Sequence, residues 1–192
     1  MTGITLEPAA VDRHADLLHD WMNQSHVVPW WDIDRSPAGV RAYLEAQLAL
    51  PHLDPWIARD DGRPVGYVET YRAVADPLAR YYPATDADRG WHVLVGPPEL
   101  IGTGVARRLG RTVIAHLLSD PDADRVVCEP DARNIRMIRL CLRLGHLPLA
   151  VIQLPDKRAL LLGCARASFE ARFADPPGNS NGGNSSADGD RG

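Results

Sequence analysis

The chain has 192 residues, 45% of them hydrophobic, and a formal net charge of −4. This is an ordinary globular composition, long enough for one domain with a sizeable core, and it lacks the basic excess that electrostatic binding to nucleic acid requires. No apolar run reaches the roughly 20 residues of a membrane helix, and residues 1–8 lack the basic-then-apolar order of a signal peptide, so a cytoplasmic chain without membrane or nucleic-acid partners is expected.

Ile4-Thr5-Leu6-Glu7 alternates apolar and polar residues and predicts a first strand. Arg13 to Met22 predicts a helix that buries Leu17, Leu18, Trp21 and Met22. An irregular aromatic segment from His26 to Asp32 follows. Ser36-Pro37 then starts a second helix, with serine as cap and proline at its first position. Asp61-Gly62 between Trp56–Ala58 and Val65–Tyr71 is a hairpin signal. Residues 72–89 read as a long loop holding a short helix, a loop length often tied to function. Trp91–Val95 predicts a strand, Val105–Leu118 a helix with apolar residues every fourth position, and Arg125–Glu129 a central strand. Asn134–Leu144 predicts a helix closed by Gly145. Leu147–Gln153 and Ala159–Cys164 predict two last strands. Cys128, Cys141 and Cys164 form no Cys-x-x-Cys pair and read as core thiols rather than disulfide or zinc ligands. Residues 176–192 are Gly, Asn, Ser and Asp with almost nothing apolar, and read as a disordered tail behind a domain at 1–175. The element order implies an α/β (mixed α+β) fold, a mixed sheet with helices on both faces.

The chemistry centres on Glu99-Leu100-Ile101-Gly102-Thr103-Gly104, between a strand and a helix. Glycines let the backbone turn tightly and aim N–H groups at a ligand. The helix start adds partial positive charge, so a phosphate is stabilised there. Gly102, Thr103, Gly104, Val105, Ala106 and Arg107 are the candidate phosphate residues. Arg107 stands where a dinucleotide fingerprint needs glycine, and no Lys-Ser/Thr pair follows, which disfavours dinucleotides and nucleoside triphosphates. By itself, Gly-x-Gly is equally a plain strand-to-helix turn.

Together these features resemble the GNAT superfamily, whose phosphate motif reads Gln/Arg-x-x-Gly-x-Gly/Ala. Glu99 departs from its first position. The resemblance implies a central, mostly antiparallel sheet and acetyl-CoA or a longer acyl-CoA as co-substrate. It places the thioester beside the backbone of Val93, Leu94 and Val95, and Asn134 near the pantetheine. The chain is more closely similar to siderophore-biosynthesis acyltransferases, the aerobactin hydroxylysine acetyltransferase and mycobactin lysine N-acyltransferase branch. The segments that carry this are Trp21-Met22-Asn23 with His26 and Trp31, Tyr67-Val68-Glu69-x-Tyr71, Tyr81-Tyr82, Gly90-x-His92 and Glu129-Pro130-Asp131-x-Arg133-Asn134. In that branch a strand histidine and the aspartate of the Pro-Asp turn are the proposed catalytic pair, which implies His92 and Asp131. The run from Asn23 to Trp31 also resembles aminoglycoside 6'-N-acetyltransferases, although these place aspartate at the position of His92.

An imidazole that titrates near neutrality suits His92 to act as a base in acyl transfer, and the equally ordinary reading is a satisfied strand histidine. Asp131 and Asn134 are equally good turn and cap residues. His26, Trp30, Trp31, Glu69 and Tyr71 are expected to line the acceptor pocket. No histidine has ligand spacing to a carboxylate, so no metal is expected. The expected function is acyl-CoA-dependent acylation of the terminal amino or N-hydroxyamino group of a lysine- or diamine-like acceptor in hydroxamate siderophore biosynthesis, by a monomer or homodimer. The alternatives are aminoglycoside acetylation and a non-catalytic CoA-binding module.

Overall fold

The computed structural model describes residues 3–173; the tail expected at 176–192 lies outside them. The strands are β1 (Ile4–Pro8), β2 (Leu53–Asp60), β3 (Arg63–Arg72), β4 (Asp88–Val95), β5 (Arg125–Cys128), β6 (Leu147–Gln153) and β7 (Arg158–Ala165). They form one sheet in the order β1-β2-β3-β4-β5-β7-β6. Every pairing is antiparallel except β4 with β5. The helices are α1 (Val11–Met22), α2 (Pro37–Leu48), α3 (Val105–Leu117), α4 (Ile135–Arg143) and α5 (Arg166–Phe173). α5 was not expected from the sequence.

Local chemistry sets the element ends. Asp61 and Gly62 have φ of 51° and 78°, the paired left-handed residues of a tight hairpin turn between β2 and β3. Ser36 caps α2, its hydroxyl accepting the Gly39 N–H at 3.0 Å. Asn134 caps α4, its side chain accepting from the Met137 N–H at 3.1 Å. Gly145, with φ of 101°, lets the chain leave α4 for β6. The stretch expected as a long loop holds two short 3₁₀ turns, Ala73–Ala75 and Pro77–Arg80.

α3, α4 and α5 cover one face of the sheet. Leu109, Val113, Leu144 and Phe169 pack there against Val68, Trp91, Val126 and Leu162. α1 and α2 cover part of the other face, with Leu18, Met22, Val40 and Leu44 over Ile57 and Tyr67. The remainder of that face carries Tyr71, Val127 and Leu161, covered by Leu78 from the second 3₁₀ turn.

The parallel pair fixes the site. β4 and β5 are in register only from Asp88↔Arg125 to Gly90↔Val127. Beyond Gly90, β4 continues to Val95 alongside β3, while β5 ends at Cys128. The sheet opens between them.

Candidate active site

A cleft of 670 Å³ runs through this opening. Trp91, Val93, Cys128, Asn134 and Met137 line it beside α4, and Trp30, Trp31, Tyr43, Glu69, His92, Glu129, Asp131 and Lys157 line it on the other side. A second pocket of 290 Å³ shares His92, Glu129 and Lys157.

His92 projects from β4 towards α2, directly across from Glu69 on β3. Its Nδ1 lies 2.9 Å from Glu69 Oε2, and its Nε2 lies 2.9 Å from Glu129 Oε1. Glu69 and Glu129 are only 2% and 6% exposed, too buried for water to satisfy them. Protein donors do so instead. The Tyr67 hydroxyl donates to Glu69 Oε1 at 2.9 Å, and the Tyr43 hydroxyl donates to the same oxygen. The Tyr71 hydroxyl donates to Glu129 Oε2 at 3.0 Å. The Trp31 indole N–H donates to Tyr43 at 3.1 Å, which ties the aromatic segment into the network.

A carboxylate only accepts, so two carboxylates on one ring require both ring nitrogens to donate. His92 is therefore held as imidazolium. Burial opposes its charge, but Glu129 and then Glu69 outweigh that and raise it to about 10. Burial likewise opposes ionisation of Glu129, and His92 overrides it, bringing that carboxyl down to about 2. Burial and the adjacent carboxylates push Tyr43, Tyr67 and Tyr71 upward, so all three stay neutral donors.

This geometry corrects the base role expected of His92: an imidazolium has no lone pair to take a proton at neutral pH. The expected partner Asp131 is also engaged elsewhere. Its oxygens accept from the Arg133 side chain at 2.6–3.2 Å and from the Arg133 backbone N–H at 2.8 Å, closing the turn. The Arg133 pair outweighs the opposing effect of burial and holds Asp131 at about 2. Glu129, overlooked as a site residue in the sequence, takes the place next to His92. Glu69 does line the cleft, as expected, and also binds His92, whereas Tyr71 is absent from both pocket linings and holds Glu129. His26 is absent from both pocket linings and braces the end of β4, its Nε2 2.8 Å from the Val95 carbonyl. Trp30 and Trp31 do line the cleft.

The backbone of β4 supplies a different feature. Gly96 N–H bonds to Val65 across β3, and by the two-residue alternation of an antiparallel ladder Leu94 also spends its N–H on β3. Val93 and Val95 direct theirs to the opened side. Of the residues expected at a thioester, Leu94 is thus turned away.

Beyond β4, Gly102 and Gly104 have φ of 86° and 91°. Both are exposed, and a Cβ there would meet nothing, so conformation rather than space demands glycine. The N–H groups of Gly102, Gly104, Val105 and Ala106 make no hydrogen bond among the described residues. They sit at the start of α3, where the helix dipole favours an anion. Arg107 is exposed there without an ion pair among the described residues, whereas Arg108 is tied to Asp60. Glu99, the departure from the phosphate motif, is paired with Arg63, which offsets its charge near the turn. Among the described residues, no group of three or more His, Cys, Asp or Glu is placed to hold a metal ion. No described helix is long and apolar enough to cross a membrane.

A sheet opened between two parallel strands, with an anion-ready helix start at its end, defines an acyltransferase scaffold. The acetyltransferase (GNAT) domain model matches residues 10–154, and the chain belongs to this family of enzymes. It is 33% identical over 168 residues to the N-hydroxyputrescine acetyltransferase of Acinetobacter baumannii, covering 88% of this chain and 80% of that one. It is 32% identical to a lysine N-acyltransferase of Mycobacterium sp. strain MCS, covering 86% and 68%. Its fold is similar to that of the aminoglycoside acetyltransferase AAC(6')-Ib solved with paromomycin and acetyl-CoA, with a TM-score of 0.82, 28% identity, and coverage of 91% and 99%.

Proposed function

We propose that the chain transfers an acyl group from acyl-CoA to the N-hydroxyamino group of a lysine- or diamine-like acceptor, in hydroxamate siderophore biosynthesis. The observation that carries this reading is the Glu69–His92–Glu129 cluster. Acyl transfer needs a neutral nitrogen nucleophile. An alkyl ammonium must first lose a proton, and both nitrogens of the His92 imidazole already face carboxylates. A hydroxylamine arrives neutral, because its oxygen lowers the basicity of the nitrogen. The N-hydroxyputrescine acetyltransferase supports a hydroxylamine acceptor, and the lysine N-acyltransferase supports the lysine-like skeleton.

The coenzyme pyrophosphate fits the free N–H groups of Gly102, Gly104, Val105 and Ala106, with Arg107 beside them. The thioester carbonyl then reaches the opened side of β4, where the Val93 N–H stabilises negative charge on its oxygen. Asn134 and Met137 flank the pantetheine from α4. The nitrogen attacks the thioester carbon, the C–S bond breaks, and the proton lost by nitrogen balances the one gained by the thiolate. His92, kept charged by its two carboxylates, adds positive potential beside the developing negative charge rather than serving as a base for the incoming nitrogen.

The test is thiol release from acetyl-CoA at pH 7 with N6-hydroxylysine, lysine and kanamycin as acceptors. The reading predicts the highest kcat/KM with N6-hydroxylysine. Preference for kanamycin would assign the chain to aminoglycoside acetylation, and CoA binding without turnover of any acceptor would leave a non-catalytic module.

A further inference from the structure

We propose that the 290 Å³ pocket receives a carboxylate borne by the far end of one substrate, held between Lys157 and Arg80. This rests on the acyl-transfer reading above and adds which substrates the site selects.

Lys157 is the single lysine of the chain, and all its other side chains of this charge are arginines. It sits on the turn between β6 and β7, where the Leu154 N–H bonds to its carbonyl at 2.9 Å. Its side chain is a quarter exposed and lines both cavities. Its Nζ lies 3.6 Å from Glu129 Oε1, beyond hydrogen-bond reach. Glu129 is already served by His92 and Tyr71, so it does not consume the ammonium donors. A compact charge on a flexible stem, with three unspent donors, suits a small anion that enters and leaves.

Arg80 faces the same pocket from the end of the Pro77–Arg80 turn. It is exposed and has no hydrogen bond or ion pair among the described residues. The remaining charged groups of the pocket are Asp76, Asp156, Glu129 and His92. Asp76 caps the 3₁₀ turn at Leu78 N and lies 3.7 Å from His52. Glu69 and Glu129 share the single charge of His92, and Lys157 lies within ion-pair distance of Glu129. Lys157 and Arg80 nevertheless keep donors that no described group accepts, and these are what an incoming carboxylate meets in this pocket. It shares His92 and Glu129 with the larger cleft, so a carboxylate held here belongs to a substrate whose reacting end lies in that cleft.

Such a carboxylate has two sources. It is either the α-carboxylate of a lysine-type acceptor or the terminal carboxylate of a dicarboxylic acyl donor. Matched substrates separate them. N6-hydroxylysine and N-hydroxycadaverine, both with acetyl-CoA, differ only in the acceptor carboxylate. Succinyl-CoA and acetyl-CoA, both with N-hydroxycadaverine, test the donor. For one pair, Lys157→Met and Arg80→Gln should each lower kcat/KM for the carboxylate-bearing member about tenfold more than for its partner. Lys157→Arg should restore most of the difference. Arg80 bonds to neither His92 nor Glu129, so its variant stays informative if Lys157→Met disturbs the cluster. Equal losses within both pairs, or no loss in either, would overturn the proposal while leaving acyl transfer intact. A wild-type protein that acylates no hydroxylamine with either donor would overturn the reading beneath it.

Discussion

Replacing Glu129 by glutamine keeps the shape of the side chain and removes one of the two charges that hold His92 protonated. The wild-type ring is raised from its ordinary 6.5 to about 10. At about 1.4 kcal/mol per unit, that gap corresponds to nearly 5 kcal/mol. A third of the ring side chain faces the open cleft, so solvent screens part of the interaction, and a realistic share is about half. With Glu69 still in place at 2.9 Å, the variant ring should titrate about two units lower than the wild type. The sign is fixed by linkage. A raised imidazole contributes stability that is complete below pH 6.5 and lost as pH rises through about 10. The variant should lose that contribution earlier, and its turnover of a hydroxylamine should fall from about pH 8 while the wild type holds. Nitrogen chemical shifts of the His92 ring report both titrations directly. A wild-type ring that titrates near 6.5, with the same midpoint in the variant, would refute the charge-clamp argument.

Asp131→Asn should change kcat less than about threefold, because its oxygens are spent on Arg133 in a turn, whereas Glu129→Gln should lower it about tenfold at pH 9, where only the variant ring has lost its proton. Gly104→Val forces a β-branched residue to φ of 91°, a strain of about 1–3 kcal/mol, and misaims the N–H groups at the start of α3. Its KM for acetyl-CoA should rise about tenfold or more while the KM for the acceptor changes little. His146 is 1% exposed, and burial holds it down at about 4. Between pH 6.5 and 4 the unfolded chain binds a proton that the folded chain refuses, so stability falls by about 3 kcal/mol on acidification. Urea unfolding of His146→Phe should show a correspondingly flatter acid limb.

Much of the frame is written in short-range chemistry. Ser36-Pro37, Asp61-Gly62 and Gly145 act within a few residues, and each does in the structure what its side chain, or lack of one, allows. α5 is different. Apart from Phe169 and Phe173, its sequence has little apolar pattern, and it is held by long-range contacts such as the Arg172 side chain on the Arg143 carbonyl. The site was legible as a neighbourhood and misassigned in its roles. His92 stood out because histidine on a strand invites a chemical question. Its partners are 23 and 37 residues away, and no spacing rule links such positions. Asp131 was conspicuous in a Pro-Asp turn, yet the turn itself uses its charge. Glu129 was hidden as the last residue of the strand expected at Arg125–Glu129, although an acidic side chain next to an apolar central strand is the signal that would have found it.

The central claim is that the acceptor nitrogen must arrive neutral because the cleft holds no free base at His92. It is tested most directly by kcat/KM for N6-hydroxylysine and for lysine, with acetyl-CoA, measured from pH 6 to pH 9. Neutral ε-amine grows about tenfold per pH unit in this range, since a lysine amine titrates near 10.4. The account predicts a rise with unit slope for lysine and a nearly level profile for N6-hydroxylysine, with N6-hydroxylysine ahead throughout. Parallel profiles that both bend near 6.5 would mean that His92 is a free base, and the account would be contradicted.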